Sequence, residues 1–202
     1  MYKESITPDE IEAMDPAVFN GEIHVIMNPG PELDHAIEHL SKQRFVGFDT
    51  ETRPIFQPHQ PRPHTALLQL SSPTEAFLFR LHSLGLPQEI ANVMANPHIT
   101  KIGAAVNEDI RGLQYFRKFE AARFVDLQML GSRYGIRDKS VRKMAAIILN
   151  LKVSKAQQCS NWEIPVLSPA QQQYAATDAW ICEKMYKALL ASPLNPLEEQ
   201  WL

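Results

Sequence analysis

Asp49 and Glu51, one residue apart in the run RFVGFDTETRP (44–54), are the first side chains in this sequence placed to do chemistry. Phe45, Val46 and Phe48 before them read as a buried β-strand, so the two acids stand where that strand leaves its sheet. Strand side chains alternate, which puts Asp49 and Glu51 on one face with Phe45 and turns Thr50 away. Carboxylates gathered this closely repel one another unless a cation lies between them, whereas a solvated loop start accounts for an isolated Asp-x-Glu without chemistry.

Two further acids sit at comparable places. Tyr174, Asp178, Ile181, Met185 and Leu189 are spaced four, three, four and four apart, one stripe of a helix whose apolar members turn it towards the core. Asp178 then points inward, where an unpaired carboxylate is costly and needs a cation or hydrogen-bond donors. Asp109 falls in the first turn of a helix that follows a buried strand. The helix dipole explains an acid there, yet Asp109 shares a face with Leu113 and Phe116. Together the four acids form an all-oxygen donor set that suits Mg²⁺ or Mn²⁺ rather than zinc. Two such ions about 4 Å apart are a standard means of phosphodiester hydrolysis.

The elements that must carry these residues are legible from pattern. GEIHVIM (21–27), the quoted run, HTALLQLSS and EAFLFRL read as strands, the last three close enough for an antiparallel meander. PELDHAIEHLSK and LPQEIANVMAN read as helices, HITKIGAAV as a buried strand, and NEDIRGLQYF as a helix with Asn107 as its N-cap. RFVDLQML predicts a short strand passing into a helix. KSVRKMAAIILN and SPAQQQYAATDAWICEKMYKALL complete the set, the second with Ser168 as N-cap, Pro169 at the first helical position and Gln171 closing a capping box. The order implies an α/β fold with a mixed sheet flanked by helices. It is expected to be one domain, with a loose tail after Pro193.

Composition narrows the class. The 202 residues carry a formal net charge of −3, so no global basic field announces nucleic acid or an anionic membrane. Cys159 and Cys182 have neither metal-type spacing nor a disulfide framework and read as free thiols in a reducing compartment. The first residues lack an apolar signal segment, and MAAIILNL is far too short to span a bilayer. The expectation is a cytoplasmic protein without a membrane or an obligate protein partner.

Three motifs in order resemble the 3′-to-5′ exonuclease domain of the DEDDy group, the family of ribonuclease D and the Werner-syndrome exonuclease domain. FVGFDTETRP is similar to its first motif, KIGAAVNEDIRGL to its second, and QYAATDA, with Tyr174 before Asp178, to its third. LLQLSS and SKAQQCSNW resemble surroundings of those motifs, and the likeness runs from about residue 22 to residue 190.

The resemblance implies a ribonuclease H-like fold, with a mixed five-stranded sheet whose second strand is antiparallel to the rest. It also implies a two-metal-ion 3′-5′ exonuclease releasing nucleoside monophosphates from the 3′ end of DNA or RNA. Asp49 would bridge two Mg²⁺ or Mn²⁺ ions, Glu51 and Asp178 would complete the first site, Asp109 would hold the second, and Tyr174 would orient the attacking water. The rival readings are a scaffold or nucleic-acid-binding module with this fold and no chemistry, and a hydrolase of very short oligonucleotides.

Ribonuclease D carries helical nucleic-acid-binding domains after its nuclease domain. This sequence stops at Leu202, so the catalytic face is expected to hold most of the substrate. Thr52, beside Glu51, and Lys155, which begins the SKAQQCSNW segment, are the candidate substrate contacts. Arg53 and the group Arg133, Arg137, Lys139, Arg142 and Lys143 read mainly as solvated surface. Trp162 reads as core, and His59 and His64 as incidental residues of a Pro-rich loop.

Overall fold

In the computed structural model, which describes residues 2–55 and 63–193, the chain is built around one six-stranded mixed sheet. A short helix α1 (Pro8–Glu12), closed by a Thr7/Glu10 capping box, and strand β1 (Asp15–Pro16) precede β2 (Glu22–Ile26) and α2 (Pro31–Ser41). The meander follows as β3 (Phe45–Thr52), β4 (Thr65–Ser71) and β5 (Glu75–Arg80), then α3 (Leu81–Leu84) and α4 (Gln88–Ala95). Strand–helix alternation begins with β6 (Thr100–Gly103), α5 (Val106–Phe116), β7 (Phe124–Asp126) and α6 (Leu127–Arg133). The described chain ends with α7 (Val141–Leu149), β8 (Leu151–Lys152) and α8 (Pro169–Leu190).

The sheet order is β2-β5-β4-β3-β6-β7, and β4 alone runs against the others. The sheet has six strands rather than the expected five, because β2 adds along β5 in parallel, Glu22 opposite Glu75 through Ile26 opposite Phe79. Beyond it, β1 and β8 form a separate two-stranded parallel pair that pattern reading did not find; two residues are too few for a period to appear.

Alternation sorts the side chains into two layers. Val46 and Phe48 of β3 and Leu68 and Leu70 of β4 pack with α2, α4 and α5 on one face. Phe45, Ile102 and Leu67 lie on the other, where α6, α7 and α8 cover them. The α8 stripe reads as the sequence predicts: Ile181, Met185 and Leu189 are fully buried and Asp178 is buried with them. Its start is also as expected, the Ser168 hydroxyl accepting from the Gln171 amide in a capping box behind Pro169.

At α5 the cap differs from expectation. The helix starts at Val106, so Asn107 lies inside it, and the N-cap is Ala105 in the left-handed region at φ 57°. The Ala105 amide donates to the Asp126 carboxylate at 3.2 Å, which holds the turn without a side-chain cap. The tail after Pro193 and His59 lie outside the described residues.

One close approach sets the distance between α8 and the sheet. A Cβ at Gly47 would lie 1.9 Å from the Ala179 carbonyl oxygen, which belongs to α8 backbone and cannot swing aside. Gly47→Ala is therefore expected to push α8 off β3, lowering stability by about 1–3 kcal/mol as overpacking does. Because Ala179 follows Asp178, catalysis should fall with it. A melting curve and an activity assay on the variant check both effects, and an unchanged melting temperature would show that the two backbones need not touch.

Candidate active site

The two faces of the sheet meet at the free end of β3. Asp49 and Glu51 point towards α8, and a β-bulge between Glu51 and Thr52 shifts the register with β4 just beyond them. Asp178, on the inward stripe of α8, comes down onto the same spot. Carboxylate oxygens of Asp49, Glu51 and Asp178 all lie within 4.8 Å of one another. A cavity of about 340 Å³ opens onto this trio, bounded further by Thr50, Tyr174, Lys155, Gln158 and Arg142.

Asp109 stands outside the trio. Helix α5 packs on the opposite face of the sheet, so Asp109 approaches β3 from the side to which Thr50 points, and the Thr50 hydroxyl donates to its Oδ1 at 2.5 Å. A second cavity of about 580 Å³ lies on that side, lined by Asp109, Thr50, Thr52 and His64 among others. The strand end thus has a cleft on each side, with Thr50 bordering both.

The electrostatics follow from packing acids together in a poorly solvated place. Burial, with the charges of Asp178 and Asp109, pushes the Asp49 carboxyl well above its ordinary value. Glu51 is driven up to about 10 by burial and then by Asp49, Asp178 and Asp109. Burial raises Asp178 to about 7 against the lowering effect of a hydrogen bond from the Tyr174 phenol. Asp109 rises to about 6 through burial, opposed by Thr50. Burial and the charges of Asp178 and Glu51 also raise the phenol of Tyr174, so it stays neutral at any physiological pH. A neutral phenol can hold and aim a water molecule; it cannot deprotonate one.

Tyr174 is held from behind. Its ring lies 5.9 Å from that of Trp162, which is fully buried, as its core reading requires. Arg80, also buried, donates to the carbonyl oxygens of Trp162, Ile164 and Pro165 and so fixes the segment that supports the tyrosine. Motif reading gave no role to Arg80 or to Gln69. Gln69 lies directly across from Asp49 on β4, fully buried, its side-chain amide without a hydrogen-bond partner among the described residues. Only the β3–β4 register reveals it.

The basic residues divide as burial and pairing dictate. Arg137 pairs with Glu4 at 3.0 Å, Lys143 with Asp138 at 2.8 Å, Arg142 with Glu12, and Arg53 with Glu163 at 3.4 Å. Lys139 donates to the Gln128 carbonyl at 2.7 Å and borders the acid cavity with Arg142. Lys155 borders the acid cavity and an adjoining one of about 640 Å³, and no ion pair involves it among the described residues. His64, taken as incidental in the sequence, stacks on the exposed Tyr115 ring with centroids 3.7 Å apart, beside the Asp109 cleft.

A family model described as 3′-5′ exonuclease matches residues 25–192. The chain belongs to the 3′-5′ exonuclease family. Among curated members, exonuclease 3′-5′ domain-containing protein 2 of Drosophila melanogaster is 32% identical over 161 residues. That alignment covers 78% of this chain and 27% of the relative, so the chain spans about a quarter of that protein's length.

Solved structures of the family share the fold, which is ribonuclease H-like. Trypanosoma brucei RNase D, crystallised in complex with RNA U12, superposes with a TM-score of 0.75 at 17% identity, covering 93% of this chain and 66% of that one. Brucella melitensis NrnC bound to pGG gives a TM-score of 0.70 at 22% identity, covering 90% and 84%. The acid cluster of this 3′-5′ exonuclease family member thus sits in a fold shared with RNase D solved with RNA U12 and NrnC solved with pGG.

Proposed function

We propose that the protein is a metal-dependent 3′-5′ exonuclease that hydrolyses phosphodiester bonds from the 3′ end of a nucleic acid and releases nucleoside monophosphates. The observation that carries this reading is the convergence of the Asp49, Glu51 and Asp178 carboxylates beside a neutral Tyr174 at an open cavity. Family membership supports the reaction class.

The donor set fits hard divalent cations. Three carboxylates held this close, with Asp49 raised by burial and by Asp178 and Asp109, and Glu51 by burial and by Asp49, need positive charge between them. Oxygen is the only donor type they offer, which suits Mg²⁺ or Mn²⁺. Asp49, Glu51 and Asp178 would hold one cation, and Asp49 with Asp109 a second, the Thr50 hydroxyl giving up its hydrogen bond. Bound there, such ions supply the Lewis acidity that activates water and neutralises the departing oxygen. The chain's own part is to aim. The Tyr174 hydroxyl orients the water, and the bulge at the end of β3 leaves the cleft open to a strand terminus. Lys155 on one side and Thr52 on the other are placed to meet phosphate or sugar.

Tyr174→Phe removes the hydroxyl and keeps the ring on Trp162. It should lower kcat by about 10²-fold, the loss typical of one positioned hydrogen bond, with little change in KM or melting temperature. Single-turnover digestion of an end-labelled strand measures it, and an unaffected kcat would remove Tyr174 from the reaction.

The deciding experiment is a digestion panel of single- and double-stranded DNA and RNA with Mg²⁺, Mn²⁺ or chelator. Stepwise 3′ shortening with monophosphate release, lost in chelator, is the expected result; activity that survives chelation overturns the proposal. Likeness to NrnC, solved bound to pGG, favours a second reading, hydrolysis of very short oligonucleotides. A steep rate preference for dinucleotides over longer strands would select it.

A further inference from the structure

Three imidazoles close around one carboxylate at the other end of the sheet. Glu75 opens β5, at the end of the strands opposite the Asp49 cluster and two strands away from it. The Glu75 Oε2 lies 2.6 Å from His35 Nε2 and 3.0 Å from His24 Nε2, and its Oε1 lies 2.8 Å from His39 Nδ1. The three rings sit over Phe77, with centroids 5.1, 5.9 and 5.4 Å away for His24, His35 and His39. They come from two elements: His24 from β2, and His35 and His39 four apart on α2.

Hydrogen bonding alone leaves this arrangement incomplete. His24 Nε2 is sheltered from solvent and, although close to Glu75, makes no well-directed hydrogen bond among the described residues. Its nitrogen and that of His35 converge on a single oxygen, and the three donor atoms lie within 4.8 Å of one another. A second layer stands behind them: His39 bonds the other Glu75 oxygen through Nδ1 and the Ser72 hydroxyl through Nε2 at 2.9 Å. Ser72 in turn takes the amides of Thr74 and Glu75. Such an outer partner fixes a ligating carboxylate in metal sites.

We propose that His24, His35 and Glu75 form a three-ligand site for a transition-metal ion such as Zn²⁺, with His39 as the positioning residue for Glu75. Two imidazole nitrogens and one carboxylate oxygen suit zinc and its neighbours, and do not suit Mg²⁺. Around zinc at about 2.0–2.1 Å the donors stand roughly 3.3 Å apart, so His24 must part from Glu75 by about 0.3 Å and His35 by about 0.7 Å. His35 is half exposed and free to move by that much. Its exposed side leaves a fourth position to water. The ion would clip α2 to the β2–β5 edge, so it acts on stability and leaves the nuclease cleft alone.

The test is binding of Co²⁺ and Zn²⁺ to the full chain near pH 7.5, followed by the visible absorption of four-coordinate Co²⁺ and by Zn²⁺ competition with a chromogenic chelator. The wild type should take up one ion at this site with a visible band that Zn²⁺ abolishes. The band should disappear in His35→Ala and in Glu75→Gln, persist in Asp49→Asn, and need about 10–100-fold more metal in His39→Ala. Mg²⁺-dependent nuclease activity of His35→Ala should equal that of the wild type, which separates this site from the nuclease reading. Equal Zn²⁺ affinity in wild type and His35→Ala, or loss of the band in Asp49→Asn alone, would overturn the proposal. His35 is exposed enough for its alanine variant to fold; should Glu75→Gln not fold, the His35 comparison alone decides.

Discussion

Replacing Asp49 with asparagine should cut the rate of 3′-end shortening by about 10³-fold, close to 4 kcal/mol of barrier. Burial and the charges of both Asp178 and Asp109 oppose the Asp49 carboxylate, which therefore needs a cation beside it. Asparagine keeps the volume on β3, opposite Gln69, and removes the charge. The fold should survive, and in chelator the variant should melt no lower than the wild type because one repelling acid has gone. Initial rates on an end-labelled single strand, with Mg²⁺ and with Mn²⁺, give the number. Asp109→Asn should cost less, since Asp109 spends its carboxylate on Thr50 from the far side of the sheet. A rate within tenfold of wild type for Asp49→Asn would remove the trio from the chemistry altogether.

How much of this was visible in the sequence depends on how local each feature is. The period of two along β3 fixes that Asp49 and Glu51 share a face, and the period of 3.6 along α8 fixes that Asp178 looks inward with Ile181 and Met185. Both survive in the structure because burial enforces them. Asp109 is different. Its helix face was legible, but whether that face meets the acids or Thr50 depends on which side of the sheet α5 packs, a property of chain crossover that no local pattern encodes. The Ala105 cap has the same origin, since its amide is held by Asp126, twenty-one residues later. The histidine cluster shows the limit most clearly. His35 and His39 are an i, i+4 pair in HAIEH, but Glu75 and His24 join them only through the register of β2 on β5, which reading GEIHVIM as a strand does not supply. Gln69 and Arg80 are likewise products of register and of a distant loop.

The stability of the metal-free protein should fall as pH rises, and divalent ions should reverse the fall. Asp109, Asp178 and Glu51 have folded-state values near 6, 7 and 10, all above the ordinary carboxylate range that applies when the chain is unfolded. A raised carboxyl holds its proton more tightly folded than unfolded. Its stabilising effect is therefore full below about pH 4 and is lost as pH climbs through the folded value. For Asp109 and Asp178 the loss is complete near pH 7, whereas for Glu51 it continues towards pH 10. Melting curves in chelator should thus descend steadily from pH 6 to pH 9. At pH 8 an ion at a hundred times its Kd adds about 2.7 kcal/mol, which for a chain of this length is roughly 5–10 °C. The gain should be larger at pH 8 than at pH 6, where protons compete for the same oxygens. In Asp178→Asn the descent should flatten and most of the Mn²⁺ gain should vanish, while His35→Ala should keep both. A wild-type melting temperature that stays level from pH 6 to pH 9 in chelator would mean that burial and neighbouring charge do not raise these carboxyls in solution. Cations would then have no poorly solvated negative charge to neutralise there.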